Sequence, residues 1–424
     1  MKLQGEITVP GDKSISHRAI ILSALAEGES VINGWLPSED CRRTLAAMRA
    51  MGISIAEGEN RLSVKGGGLS GLKEPKDVID CGNSGTTLRI LTGLLAGQSF
   101  FSALTGDDSL RRRPMRRLVD PLRKMGAYIS GRSFGDLAPL AITGKPLSAV
   151  EYTQPIASAQ VKSALLLAGL NASGTTVVID PFGSRDHTER MLEYLGAAFK
   201  KKESYCSIVG GKAFTGKTIN VPGDFSSAAF FIVAALIVPG SSITIKNVGM
   251  NPTRSGLLHI LKKMGAQIER RHGNEAACNE PVSNIEVVAS TLKGAGIVEG
   301  EIIPRMIDEF PILCIAAAVA DGETIIRGAK ELRVKESDRI SAMVKALQAI
   351  GVDAKELPDG IHIVGRKEWI TQGGVECKTQ GDHRVAMAMK VAALRAEGEI
   401  KLDDEACIDT SFPAFNKLLE SLCH

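Results

Sequence analysis

The chain has 424 residues, of which 44% are apolar and 23% charged. That composition excludes a disordered chain, and the length exceeds what one compact core holds, so two domains of about 200 residues each are expected. The formal net charge of +3 is too balanced to imply nucleic-acid binding.

The first residues, Met1–Val9, read as a strand, so no targeting segment is expected ahead of the fold. Val9-Pro10-Gly11-Asp12 follows, then a helix rich in Ala and aliphatic residues that closes near Gly28. The same pattern, an apolar helix closed by Gly, recurs at Gly97, Gly174, Gly240, Gly322 and Gly398, at intervals of 66 to 82 residues. Six copies therefore fill the chain. Stretches such as Ser226–Val238 and Pro311–Ala320 have no polar face, which predicts burial. Gly just past each end predicts a left-handed C-terminal cap. The longest apolar stretch, Ala228 to Val238, is too short to span a membrane.

A second, amphipathic helix alternates with the first, as in Ile340, Met343, Leu347 and Ile350 on one stripe. These helices end in Met51-Gly52, Met125-Gly126, Leu195-Gly196, Met264-Gly265 and Ile350-Gly351, and the sixth equivalent is Phe412–Leu422. Short alternating runs such as Ser242–Val248 and Gly360–Val364 supply strands. Val9-Pro10-Gly11-Asp12 returns 212 residues later as Val221-Pro222-Gly223-Asp224. The simplest reading is three units per domain, with residues 12–223 as one domain and 1–11 plus 224–424 as the other. The crossings fall near 9–12 and 221–224, and glycine's freedom of dihedral suits a hinge there.

Polar residues gather where helices begin. The buried helices open with Asp12-Lys13-Ser14 through Arg18, Gly82 through Arg89, Ser158-Ala159-Gln160, Asp308-Glu309 and Asp382-His383-Arg384. The amphipathic ones open with Arg111-Arg112-Arg113, Ser184-Arg185-Asp186-His187, Thr253-Arg254 and Lys335 through Arg339. Helix N-termini expose backbone N–H groups and favour anions. Capping accounts for Asp12, Asp224 and Ser158. It does not account for Lys13, Arg113, Arg185, Arg339 and Arg384, because cations there oppose the helix dipole. Such clusters suit more than one multiply charged anion. His187 and His383 read as hydrogen-bonding residues at helix starts. Gly82–Thr86 is not a nucleotide-binding P-loop, since no Gly-Lys-Ser/Thr follows. The eight cysteines form no C-x-x-C pair and no zinc-ligand spacing, so free thiols in a reducing cytoplasm, and no metal, are expected.

Taken together, Gly82–Arg89 (GNSGTTLR), Arg113-Pro114-Met115, Ser158-Ala159-Gln160, Arg333–Arg339 (RVKESDR) and Asp382-His383-Arg384 resemble the 5-enolpyruvylshikimate-3-phosphate synthase family. The likeness runs from Gly11 to Pro413. It implies an α/β fold of the α+β type, the two-domain enolpyruvyl transferase architecture with three βαβαββ units per domain around buried helices. It also implies transfer of the enolpyruvyl group of phosphoenolpyruvate to the 5-hydroxyl of shikimate 3-phosphate, with release of phosphate and no metal or organic cofactor.

By the same resemblance Asp308 takes the hydroxyl proton, and Glu336 and Lys13 are the candidates for protonating C3. Shikimate 3-phosphate contacts fall on Lys13, Ser14, Arg18, Ser158, Ala159, Gln160, Asp308 and Lys335, with Arg185 joining at the phosphate. Phosphoenolpyruvate contacts fall on Lys13, Gly85, Arg113, Gln160, Arg339 and Arg384. These charges divide between the two halves, so neither half alone is expected to be active. Glyphosate is a candidate inhibitor. Segments such as Ser158–Lys162 and Arg185–Glu189 resemble the less sensitive subgroup, while Gly85 is retained where some tolerant members have Ala. Many members carry Lys where this chain has Thr410. A cytoplasmic monomer with no nucleic-acid or membrane partner is expected. The alternatives are the sister transferase acting on UDP-N-acetylglucosamine, which usually has Lys-Asn at Lys13-Ser14 and a Cys in the loop Gly106–Arg113, and a non-catalytic anion-binding protein.

Overall fold

The structure, a computed structural model, describes residues 1–272, 278–367, 371–372 and 374–424. The chain divides into one unit of Gly11–Val221 with Ala276–Glu280, and another of Met1–Pro10, Pro222–Glu275 and Pro281–His424.

The Gly11–Val221 unit contains three four-stranded sheets of one topology. Their strand orders are Thr218–Asn220, Glu27–Asn33, Arg61–Gly67, Ser54–Gly58; Ile79–Asp80, Phe101–Thr105, Leu137–Thr143, Tyr128–Gly131; and Glu151–Thr153, Thr175–Ile179, Tyr205–Val209, Phe199–Lys202. In each the first pair is parallel and the others antiparallel. A parallel pair needs a crossover. The apolar helices Gly85–Ala96 and Ala159–Leu170 supply it in the second and third sheets. These two helices pack closely at Gly93, where a Cβ would lie 2.2 Å from the Ala164 carbonyl oxygen. Residues 278–280, assigned to the other half from sequence, belong here: Arg190 Nη1 donates to the Asn279 carbonyl at 2.8 Å and His187 Nδ1 meets Glu280 Oε1 at 2.7 Å.

In the other unit, Gln4–Thr8 pairs in parallel with Ser242–Gly249, and Val282–Val288 and Gln267–His272 complete that sheet. A second sheet runs Gly296–Val298, Gly322–Ile326, Gly360–Gly365, Asp353–Leu357. The last copy differs. Among the described residues it has only two parallel pairs, Thr371–Gln372 with Ala396–Glu397 and Val375–Cys377 with Ile400–Leu402. The chain then closes with a 3-10 turn, Ala406–Thr410, and the helix Phe415–Leu422, which begins three residues later than expected. Phe412 and Phe415 pack with Phe230 and Phe231 at centroid distances of 5.6 to 6.0 Å.

Among the described residues six helices are buried almost throughout: Lys13–Leu25, Gly85–Ala96, Ala159–Leu170, Phe225–Ile237, Phe310–Ala318 and His383–Ala393. Their positions outside the buried class are Lys13, Ser14, Thr86, Ala159, Gln160 and Ser227 in first turns, and Lys390 and Ala393 near one C-terminal end. Apolar sequence thus sinks each helix, and the polar first turn is what solvent reaches.

The expected left-handed caps on these helices are not where they were placed. The helices end before Gly28, Gly174, Gly240, Gly322 and Gly398, which have positive φ but lie in the following connection or strand. Gly97 is a cap residue, at φ −97°. The left-handed caps belong to the amphipathic helices instead. Gly52, Gly126, Gly196, Gly265 and Gly351 have φ between 81° and 98°. After each of them the next N–H reaches back to a helical carbonyl, as Ile53 does to Met48 and Val352 to Leu347. Gly11 is a second correction. Close packing, not an unusual dihedral, demands glycine there: a Cβ would lie 1.9 Å from the Gly34 carbonyl oxygen.

Candidate active site

In the Gly11–Val221 unit, Asp12 caps the Lys13–Leu25 helix by accepting from Ile15 N at 2.9 Å. Lys13 is then the first helical residue, and its Nζ pairs with Asp40 at 3.0 Å. Arg18, one turn on, is buried and fixed at three points: Nε donates to Thr188 Oγ1 at 2.6 Å, Nη2 to Ser163 Oγ at 2.7 Å and Nη1 to the Ser14 carbonyl at 3.0 Å. Its pKa is lowered to about 10 by burial first; Glu189 and Asp12 work against the shift, and the like charge of Arg185 adds to it. Two guanidiniums close enough to repel make a seat for an anion.

The next two helices contribute a second cluster. Ser84 and Ser158 cap them, accepting from Thr87 N at 3.2 Å and Val161 N at 3.3 Å. The helix therefore starts at Gly85, not at Gly82. Gln160 is held from both ends: its Oε1 accepts from Arg89 Nη1 at 2.8 Å, and its Nε2 donates to Thr86 Oγ1 at 3.1 Å. Arg113 follows a 3-10 turn, Leu110–Arg112, rather than opening the Arg116–Lys124 helix, and its Nη2 donates to Asn83 Oδ1 at 2.7 Å. Gly85 sits against both arginines, since a Cβ there would approach Arg89 Nη1 to 2.9 Å and Arg113 Nη1 to 3.2 Å. Ala159 is the first residue of its helix, and Arg185 is half-buried beside Asp186, which precedes the His187–Leu195 helix.

The other unit brings together Asp308, Glu336, Arg339 and Arg384. Asp308 lies on a 3-10 turn, Ile307–Glu309, ahead of the Phe310–Ala318 helix rather than on it. Its Oδ1 is 3.5 Å from Arg339 Nη1 and 4.0 Å from Arg384 Nε, and its carbonyl accepts from Arg384 Nη1 at 3.2 Å. Arg339 Nη2 donates to Glu336 Oε2 at 2.5 Å and Nε to Asp382 Oδ2 at 2.7 Å. Burial opposes the Arg339 charge, but Asp382, then Glu336 and Asp308, outweigh it and raise its pKa. Burial likewise opposes the Asp382 charge, yet Arg339 holds that carboxyl below its usual range. Asp382 also caps its helix, accepting from Arg384 N at 3.0 Å. Lys335 is half-buried just past the 3-10 turn Lys330–Val334. Thr410 Oγ1 donates to the Cys407 carbonyl at 2.7 Å.

Three residues join these sets without having been singled out from sequence. Arg89 follows Gly85 by four positions, which puts the two on one helix face, and that spacing is the signal it carried. Asp40 lies in the first turn of the Glu39–Ala50 helix, where an acidic residue also reads as ordinary dipole compensation. Asp382 stood in a quoted motif with no role assigned to it, and nothing local announces its bond to a residue 43 positions earlier. Among the described residues no group of three or more His, Cys, Asp or Glu is placed to hold a metal ion, and no helix is long and apolar enough to cross a membrane.

Comparison with known proteins gives one consistent result. The EPSP synthase (3-phosphoshikimate 1-carboxyvinyltransferase) family matches residues 1–419. The chain is 54% identical to a 3-phosphoshikimate 1-carboxyvinyltransferase of Geobacter metallireducens over 420 residues, covering 99% of this chain and 97% of that one. It is 53% identical to the protein of that name from Geotalea uraniireducens, with the same coverage. Among solved structures it resembles EPSP synthase from Acinetobacter baumannii with a TM-score of 0.88 at 45% identity, covering 99% and 96% of the two chains. The enolpyruvyl transferase NikO from Streptomyces tendae shares the fold, with a TM-score of 0.77 at 15% identity and coverage of 99% and 95%.

Proposed function

The chain belongs to the EPSP synthase (3-phosphoshikimate 1-carboxyvinyltransferase) family and performs its enolpyruvyl transfer, and we propose that the clusters described above divide the work as follows. Asp308 accepts the proton of the shikimate 3-phosphate 5-hydroxyl as that oxygen bonds to C2 of phosphoenolpyruvate. C3 gains a proton, with Glu336 and Lys13 as the two candidate donors. The tetrahedral intermediate then gives up a C3 proton and phosphate, which restores the double bond. Lys13, Arg113, Arg339 and Arg384, with Gln160 and the Gly85 backbone, bind phosphoenolpyruvate and stabilise the charge that develops on it. Arg18 and Arg185 bind the 3-phosphate. Ser14, Ser158, Ala159, Gln160 and Lys335 complete the acceptor contacts.

The observation that carries this reading is the placement of Asp308 between Arg339 and Arg384, with Arg339 held in turn by Asp382. A carboxylate so oriented can accept a proton from a hydroxyl beside an anionic substrate. The reading requires residues of both units. The eight free cysteines are consistent with a reducing cytoplasm.

The test is phosphate release from phosphoenolpyruvate by the purified protein. Release that depends on shikimate 3-phosphate is expected. Release with UDP-N-acetylglucosamine in its place, or none with shikimate 3-phosphate, overturns the reading.

A further inference from the structure

Lys162 lies deep beneath the acceptor residues and is given no part in the chemistry above. Its ammonium is buried between two carboxylates, 2.9 Å from Asp180 Oδ2 and 2.7 Å from Glu189 Oε1. It also donates to the Ser184 carbonyl at 3.0 Å. Burial works against its charge, but Glu189 and Asp180 outweigh it and raise the pKa, so the ammonium persists at working pH. Asp180 in turn fastens the loop that follows it: Oδ2 accepts from Ser184 N at 2.8 Å and Ser184 Oγ at 2.5 Å, and Oδ1 from Phe182 N at 3.2 Å. That loop delivers Arg185. Lys162 itself sits two residues past Gln160, on the helix capped by Ser158. Thr188, which holds Arg18, lies in the first turn of the helix that also carries Glu189.

We propose that Lys162 is a positioning residue for acceptor recognition: through Asp180, Ser184 and Glu189 it locks the Arg185 loop and the Arg18 support to the Ser158–Gln160 helix, and so sets the grip on the 3-phosphate. The inference rests on the acceptor assignment under Proposed function. A lysine holding two carboxylates and a loop carbonyl has a structural role anywhere in a core. What distinguishes this one is that the segments it joins all lead to the phosphate contacts.

The experiment is steady-state kinetics on the full-length protein with Lys162→Met and Lys162→Arg, plus calorimetry with shikimate 3-phosphate and with shikimate. For Lys162→Met the KM for shikimate 3-phosphate is expected to rise at least ~10-fold, in line with loss of charge-assisted hydrogen bonds. The kcat and the KM for phosphoenolpyruvate should stay within about twofold, and the binding advantage of shikimate 3-phosphate over shikimate should shrink by a similar factor. Lys162→Arg should recover part of each. Asp180→Asn, which keeps the loop's shape but weakens the clamp, should show the same phosphate-selective loss and serves if Lys162→Met does not fold. An unchanged KM for shikimate 3-phosphate, or equal losses for both substrates and kcat, overturns the proposal while the function stands. A wild-type protein that does not turn over shikimate 3-phosphate overturns both.

Discussion

Arg18 and Arg339 are both buried, 4% and 1% exposed, yet they are held in opposite ways. In the Gly11–Val221 unit, Arg18 donates to two hydroxyls and a carbonyl, all neutral. In the other unit, Arg339 is ringed by Asp382, Glu336 and Asp308. The same side chain consequently has its pKa lowered to about 10 in one place and raised in the other. Neutral partners orient a guanidinium while leaving its charge to attract an anion. Carboxylate partners offset part of that charge, and the arginine also fixes the carboxylates around it. Under the proposed assignment, the first arrangement suits gripping a phosphate and the second suits holding a base.

The largest effect is expected where the buried charges neutralise each other. Asp382→Ala leaves Arg339 without its Nε acceptor and should cost about 3–5 kcal/mol of stability, as for other broken buried pairs. Denaturant unfolding measures it, and a loss under ~1 kcal/mol would mean that Glu336 and Asp308 suffice to match Arg339. Next comes chemistry. Asp308→Asn should bind both substrates and turn over at least ~100-fold more slowly; near-normal turnover removes Asp308 from the role of base. On the neutral-partner side the effect is smaller and falls on binding. Thr188→Val removes the acceptor of Arg18 Nε and should raise the KM for shikimate 3-phosphate roughly tenfold with kcat little changed. If kcat fell instead, the two arginines would not differ as described.

The effect that is negligible at neutral pH and grows only in acid is a pH dependence beside Arg18. His17 is buried against Thr44, and burial lowers its pKa to about 3. A histidine depressed on folding contributes stability that is complete above about pH 6.5, the unfolded value, and is lost as pH falls towards 3. His17→Gln should therefore flatten the fall in Tm below pH 6.5. Parallel profiles for the two proteins would show that carboxylates alone govern the acid limb.

Reading the sequence for this contrast succeeds where the cause is local. Phe225–Ile237 and Phe310–Ala318 are apolar on every side, and burial follows directly. The polar first turns were legible because Lys13, Arg339 and Arg384 conflict with the helices that carry them. The partners were not. Thr188 meets Arg18 across 170 positions and Asp382 meets Arg339 across 43, and no spacing rule links them. The left-handed caps failed for another reason. Glycine marks both helix families, and only the backbone distinguishes a cap, as at Gly52, from a turn into a strand, as at Gly28. The final copy was legible only in part: Phe415–Leu422 stands at the amphipathic-helix position, three residues later than read, and among the described residues no hairpin follows it.

The strand Gln4–Thr8 pairs with Ser242–Gly249, and Leu3 bridges to Cys423. During synthesis Gln4–Thr8 thus has no partner until Ser242–Gly249 has followed it out of the ribosome. The sheets of the Gly11–Val221 unit, by contrast, have all their strands once Asn220 has emerged. Translation, which runs N-terminal first, therefore completes the sheets of that unit while Gln4–Thr8 still waits for its partner. A tag or fusion ahead of Met1 would burden the strand pairing with the longest separation in sequence among the described sheets.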